Sequence, residues 1–203
     1  YTHNGVITLD NYFKAMMWLG RIDFLLTAPP ENPWEPNWTV DELRRMQLGA
    51  LLSNELVHSC GKIQNLKKHE EIISFLVGPD DNLNPKELEE LRERHLQHPA
   101  DLFQEASYKG FTEGLNASDA YGQMILSNFF FLYPFSEVPG YLPVSFKLLG
   151  QKLLIDSFVF SEVVFDRIVF GGQKFWRPLP DPLDAMAALG NEDALALLEG
   201  EME

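Results

Sequence analysis

Two groups of residues in this chain mix aromatic ring faces with ionisable side chains. The first is Trp18, Arg21 and Asp23. The second is Gln151, Asp156 and the run from Lys174 to Arg177, with Trp176 inside it and Asp181 and Asp184 just beyond. Carbohydrate and peptide grooves combine ring faces with carboxylates and Arg. Trp18, Arg21, Asp23, Gln151, Asp156, Trp176 and Arg177 are therefore the ligand-binding candidates. Paired carboxylates across a cleft would supply the acid and base of a glycosidase. The same residues also have a purely structural reading. Asp156 and Asp181 can cap helices, and Arg21 and Arg177 can bind carbonyls or carboxylates to fasten loops. No residue is singled out as catalytic.

Other chemistries fail on spacing. The run Asp80-Asp81-Asn82-Leu83-Asn84 invites a calcium reading, but an EF-hand loop needs Gly at its sixth position and Glu at its twelfth. Counted from Asp80, those places hold Pro85 and Leu91. His3, His58, His69, His95 and His98 form no HExxH, and His69, His95 and His98, in charged helices, read as surface residues. Cys60 is the only cysteine, so no intrachain disulfide or cysteine-based zinc site can form, and it reads as a small buried residue. No metal site and no cofactor is expected. The pair Gly171-Gly172 is too short for a phosphate cradle, and no nucleophile elbow or P-loop is present.

Charge narrows the partners. Sixteen basic residues face 30 acidic ones, a net charge of −14, which disfavours nucleic acid because phosphate binding rests on clustered Lys and Arg. No apolar run is long enough to span a membrane. The partners left open are another protein, missing segments of the same chain, or a small saccharide or peptide.

The elements that must position these residues are mostly helices. Thr8 can cap a first helix that yields near Thr27; over Leu9 to Phe24, Asp10, Lys14 and Arg21 fall within about 40° of one another and nearly everything else is apolar. So thin a polar stripe predicts burial on most sides. On that helix, Asp23 falls on the apolar side near Tyr12 and Met16 and needs a partner. A stretch rich in Pro follows, and its Trp34 and Trp38 are expected to fold back over the core. Capping boxes at Thr39/Glu42 and Asn84/Glu87 open helices to about Cys60 and about Gln97. A helix from Lys62 to Val77 lies between them, stopped by Gly78-Pro79. Pro99 to Tyr108 predicts a short helix and Gly110 to Gly122 a loop. Gln123 to Leu132 reads as an apolar helix, Phe146 to Lys152 as a short extended piece, and Asp156 or Ser157 as the cap of a helix to about Phe165. Another loop leads to helices from Pro182 to Leu189 and from Asn191 to Glu199. The expected fold is all-α or mainly α. It is one domain over residues 1–203, a single-layered to two-layered arrangement of about eight helices. Its loops are long and rich in Pro and aromatics, with at most a minor β element.

Four segments carry a resemblance. They are YFKAMMWLGR from Tyr12 to Arg21, SFKLLGQK from Ser145 to Lys152, DSFVF from Asp156 to Phe160 and LDAMAALG from Leu183 to Gly190. Together they resemble domain-of-unknown-function family thirty-one-sixty, found in bacteria and archaea, over essentially the whole chain. Where relatives often read PRGHYT before the first helix, this chain has HNGVIT, and where they place Thr-Pro before Asp-Ser it has Leu154-Ile155. Typical members are several times longer and many look exported. The resemblance therefore implies an extracytoplasmic piece of a larger protein, and it implies no activity.

Absence of a catalytic signature favours a non-catalytic helical binding or scaffold domain. The alternative is part of a hydrolase acting on saccharide or peptide, with its site shared with missing segments.

Overall fold

The structure, a computed structural model, describes residues 2–3, 6–7, 9–29, 37–116, 125, 142–163, 165–170, 172–177 and 180–201. It is mainly helical. Among the described residues there are eight α-helices and three antiparallel two-stranded pairings. The chain divides into two compact units. The first comprises Tyr1–Ala28, Trp38–Gln123 and Pro143–Lys152, and the second Pro29–Asn37, Met124–Leu142 and Leu153–Glu203.

The first unit opens with a short pairing of β1 (Thr2–His3) and β2 (Val6–Ile7), followed by helix α1 (Leu9–Arg21). It is organised around helix α2 (Val40–Ser59). Thr39 opens α2: its hydroxyl accepts the Glu42 N–H, while the Glu42 carboxylate accepts the Thr39 N–H at 2.8 Å. Gly61 ends it with φ 66°, a left-handed conformation that a Cβ would strain. Helix α3 (Ile63–Leu76) comes next. Helix α4 (Pro85–His95) begins with Asn84 and Glu87 in the same reciprocal arrangement as Thr39 and Glu42, with Pro85 in its first turn. A short 3-10 helix (Pro99–Phe103) leads into α5 (Glu105–Asn116).

Helices α2, α4 and α5 enclose one core of Ala50, Leu51, Leu88, Leu91, Leu96, Leu102, Phe111 and Leu115. Strands β3 (Phe24–Leu25) and β4 (Ser145–Phe146) close it, pairing Phe24 with Phe146. Leu83 bridges to Phe146 of β4 as well. Buried amides fasten the layers. Gln47 Nε2 donates to the Leu26 carbonyl at 2.8 Å, and Asn54 Nδ2 donates to the Pro85 carbonyl at 3.1 Å.

Two peripheral helices behave differently. Helix α1 has no fully buried residue, and α3 has only Ile63. The predicted burial of α1 is not found: Trp18 is 71% exposed, and Leu9 and Phe13 are largely exposed too. Apolar periodicity identifies a face suited to burial; it does not supply a cover. On α3, Ile72, Phe75 and Leu76 point outward, with Phe75 89% exposed.

Several other expectations change. Cys60 is exposed at the end of α2, because the helix stop at Gly61 carries it out to the surface. Helix α1 ends at Arg21, short of the expected Thr27, and Phe24 and Leu25 instead form β3. The expected loop from Gly110 is helical as far as Asn116, since α5 runs through Gly110 and Gly114. The reason is packing: a Cβ at Gly114 would stand 2.5 Å from Nε2 of His95, so the missing side chain lets α4 approach. Trp38 is half-buried. Thr8, Trp34 and all of the Gln123 to Leu132 stretch except Ile125 lie outside the described residues.

The second unit holds α6 (Ile155–Glu162), a hairpin of β5 (Phe165–Phe170) and β6 (Gln173–Arg177), and the packed pair α7 (Pro182–Ala188) and α8 (Glu192–Glu201). The hairpin replaces an expected loop, and Gly172 turns it with φ 81°. Asp181 caps α7 by accepting the Leu183 N–H at 2.8 Å, and the Asp184 carboxylate returns to the Asp181 N–H. Gly190 ends that turn with φ 89°.

Candidate functional site

Among the described residues of the first unit, three mostly buried charged side chains come together where α3, the loop 78–84 and the segment 143–152 meet. The backbone builds the place before any side chain does. Asp80 and Lys152 form an antiparallel bridge, and the Asp81 N–H donates to the Gln151 carbonyl at 2.9 Å. That register turns Lys152 toward α3. Its ammonium donates to Glu70 Oε2 at 2.5 Å, to Asp80 Oδ1 at 2.7 Å and to Ser74 Oγ at 3.2 Å. All three charged side chains are mostly buried, Lys152 being 9%, Asp80 7% and Glu70 16% exposed. The second oxygen of Asp80 accepts from Asn84 Nδ2 at 3.3 Å, which ties the cluster to the cap of α4.

Electrostatics follow from that burial. Loss of water pushes the Glu70 carboxyl above its usual range; the Lys152 hydrogen bond opposes the shift and the charge of Asp80 adds to it. Burial works against the Lys152 ammonium, yet its hydrogen bonds to Asp80 and Glu70 together keep its pKa above that of an ordinary lysine. Glu87, at the start of α4, is also raised by burial, partly offset by the Asn84 N–H and reinforced by Asp80.

A second lysine of the same segment, Lys147, lies 3.7 Å from Asp23 Oδ2, and both are largely buried. Two glycines let these pieces close up. A Cβ at Gly20 would come within 2.8 Å of the Leu149 carbonyl, and one at Gly150 within 1.9 Å of Asn82 Oδ1. The Gly150 α-hydrogen therefore points at an amide oxygen that is buried and has no hydrogen-bond partner among the described residues. Elsewhere on α3, Tyr12 of α1 meets Nε2 of His69 at 3.0 Å.

The residues singled out from the sequence occupy different settings. Trp18 and Arg21 are exposed on α1, while Asp23 turns inward to Lys147. Gln151 takes part through its backbone carbonyl. Asp156 lies in the first turn of α6, where its carboxylate accepts the N–H of Ser157 at 2.8 Å. Trp176 and Arg177 lie in β6. Trp18, Arg21, Asp23 and Gln151 belong to the first unit, and Asp156, Trp176 and Arg177 to the second. Sequence reasoning missed Glu70, Asp80, Lys147 and Lys152. The available signal was two lysines inside the apolar run SFKLLGQK, where each cation demands a partner.

Among the described residues no group of three or more His, Cys, Asp or Glu side chains is arranged to hold a metal. None of the described helices is long and apolar enough to cross a membrane.

The family model described as "Protein of unknown function (DUF3160)" matches residues 1–203, the full length of the chain. The chain belongs to the DUF3160 family. No curated protein and no solved structure matches this DUF3160 chain. Family membership agrees with the resemblance carried by the YFKAMMWLGR and SFKLLGQK segments, and it adds no chemistry to the geometry above.

Proposed function

We propose that this DUF3160 chain is a non-catalytic helical binding or scaffold domain. One observation carries the reading: the buried lysines Lys147 and Lys152 of the first unit join separate segments, while large apolar side chains are left on the outside. Lys152 joins α3 to the 78–84 loop, and Lys147 sits against Asp23 just past the end of α1. Phe13, Trp18, Phe75 and Leu76 remain exposed, as expected of a surface that meets another molecule. The carboxylates that would serve a hydrolase have structural partners as well. Asp156 takes the N–H of Ser157, and Asp181 and Asp184 form a reciprocal cap.

The test is a panel of glycosides, peptides and esters read for both retention and turnover. The proposal expects retention of a saccharide or peptide without turnover, weakened by Trp18→Ala. Turnover abolished by Asp23→Asn or Asp156→Asn would overturn it in favour of a hydrolase.

A further inference from the structure

Helix α3 is held unusually. Only Ile63 at its first turn is buried; Leu66 and Ile73 are half-buried, and Ile72, Phe75 and Leu76 are mostly exposed. Its middle and last turns also make polar contacts, chiefly those of Lys152 with Glu70 and Ser74. The same ammonium holds Asp80, so one side chain fastens the helix to both the 78–84 loop and the 143–152 segment.

The charge count of that fastening is unbalanced. Two carboxylates share one ammonium in a place with little water. One uncompensated negative charge is costly to bury, and a single proton would remove it. We propose that Glu70, Asp80 and Lys152 form a pH-dependent latch that holds α3 most firmly when Glu70 carries a proton and loosens as that proton leaves.

Among the described residues, the neighbouring polar and titratable groups come from several elements. The 143–152 segment presents Lys152 to Glu70, and the 78–84 loop presents Asp80. From α3 itself come Ser74, bonded to the same ammonium, and His69, whose Nδ1 lies 4.0 Å from Glu70 Oε1. Helix α1 contributes Tyr12, which bonds to His69. Helix α4 contributes Glu87, whose carboxyl feels Asp80 and adds further negative charge.

The direction follows by linkage. Burial raises Glu70 in the folded state above its usual value of 4.5. The stabilisation that comes with its proton is fully present below that unfolded value and is lost as pH rises through the raised folded value. Lys152 is raised as well, so its charge persists throughout that window.

Hydrogen exchange of the whole chain, corrected for the intrinsic rate at each pH, tests the latch. The readout is protection of α3 amides relative to α4 and α5 between pH 8 and pH 4.5, which cancels any global change in stability. The wild type is expected to gain about threefold or more in relative α3 protection on acidification, because the closed helix holds the proton more tightly than the open one. Glu70→Gln keeps an acceptor for Lys152 and removes the titrating group, so its α3 protection should no longer depend on pH. His69→Gln should keep the wild-type dependence. Relative α3 protection that is flat in the wild type, or that still changes in Glu70→Gln, would overturn the latch. So would a dependence lost in His69→Gln and kept in Glu70→Gln, which would transfer the response to the histidine.

Discussion

Helices α4 and α3 lie close together in sequence and are built on opposite terms. Helix α4 sets Leu88 and Leu91 into the core with Phe111 and Leu115 of α5, and its entry is fixed by the Asn84 cap. Helix α3 has no side-chain cap at its start, turns Ile72, Phe75 and Leu76 outward, and depends on a buried lysine. Helix α1 shares that condition, with an exposed Phe13 and Trp18 and a polar contact to His69. Apolar content therefore does not decide which helix is structural. Helices α2, α4 and α5 use their apolar residues to build a core. Helices α1 and α3 keep much of theirs on the surface and are attached by charge, hydrogen bonds and close backbone approach.

Truncating a ring in each setting puts the contrast under the most strain. Phe111→Ala, in the core, should cost about 3–5 kcal/mol, read as the midpoint of urea unfolding. Lys152→Ala should follow closely, at about 3–5 kcal/mol, because it strands two buried carboxylates. Its loss should appear first in α3 by hydrogen exchange. Gly150→Ala should cost about 1–3 kcal/mol, since its Cβ would collide with Asn82 Oδ1, and Asn82→Gly in the same chain should recover part of that loss. Phe75→Ala, a truncation as drastic as Phe111→Ala, should change stability by less than about 0.5 kcal/mol. A large cost there would show that Phe75 packs as core and would erase the distinction between the two regions.

The sequence reveals whatever depends on neighbours three or four residues apart. The caps at Thr39/Glu42, Asn84/Glu87 and Asp181, the stops at Gly61 and Gly190, and the resulting boundaries of α2 and α7 are all of this kind. The mainly helical class follows from them. What stays hidden depends on distant partners. The pattern of α1 shows an apolar face and cannot show that little covers it. Gly110 and Gly114 read as loop residues because their helical role comes from the His95 ring on another helix. The β5–β6 hairpin does have a local signal, two aromatic-rich runs around Gly171-Gly172, which the expectation of a loop overlooks. The buried charge cluster is the least legible part. Lys152 is separated from Asp80 by 72 residues and from Glu70 by 82, and no spacing rule reaches so far. Among the candidate ligand residues, Asp23 reads from its position as a carboxylate that needs a partner, and Lys147 is one.

Native-state hydrogen exchange of the unmodified chain at pH 7 measures the central contrast directly. Amides of α2, α4 and α5 should exchange only through global unfolding. Those in the second half of α3 should exchange through a smaller opening of lower free energy that leaves the Leu88, Leu91 and Phe111 core closed. Equal protection in α3 and α4, lost together at one denaturant concentration, would contradict the account and make α3 an integral part of the core.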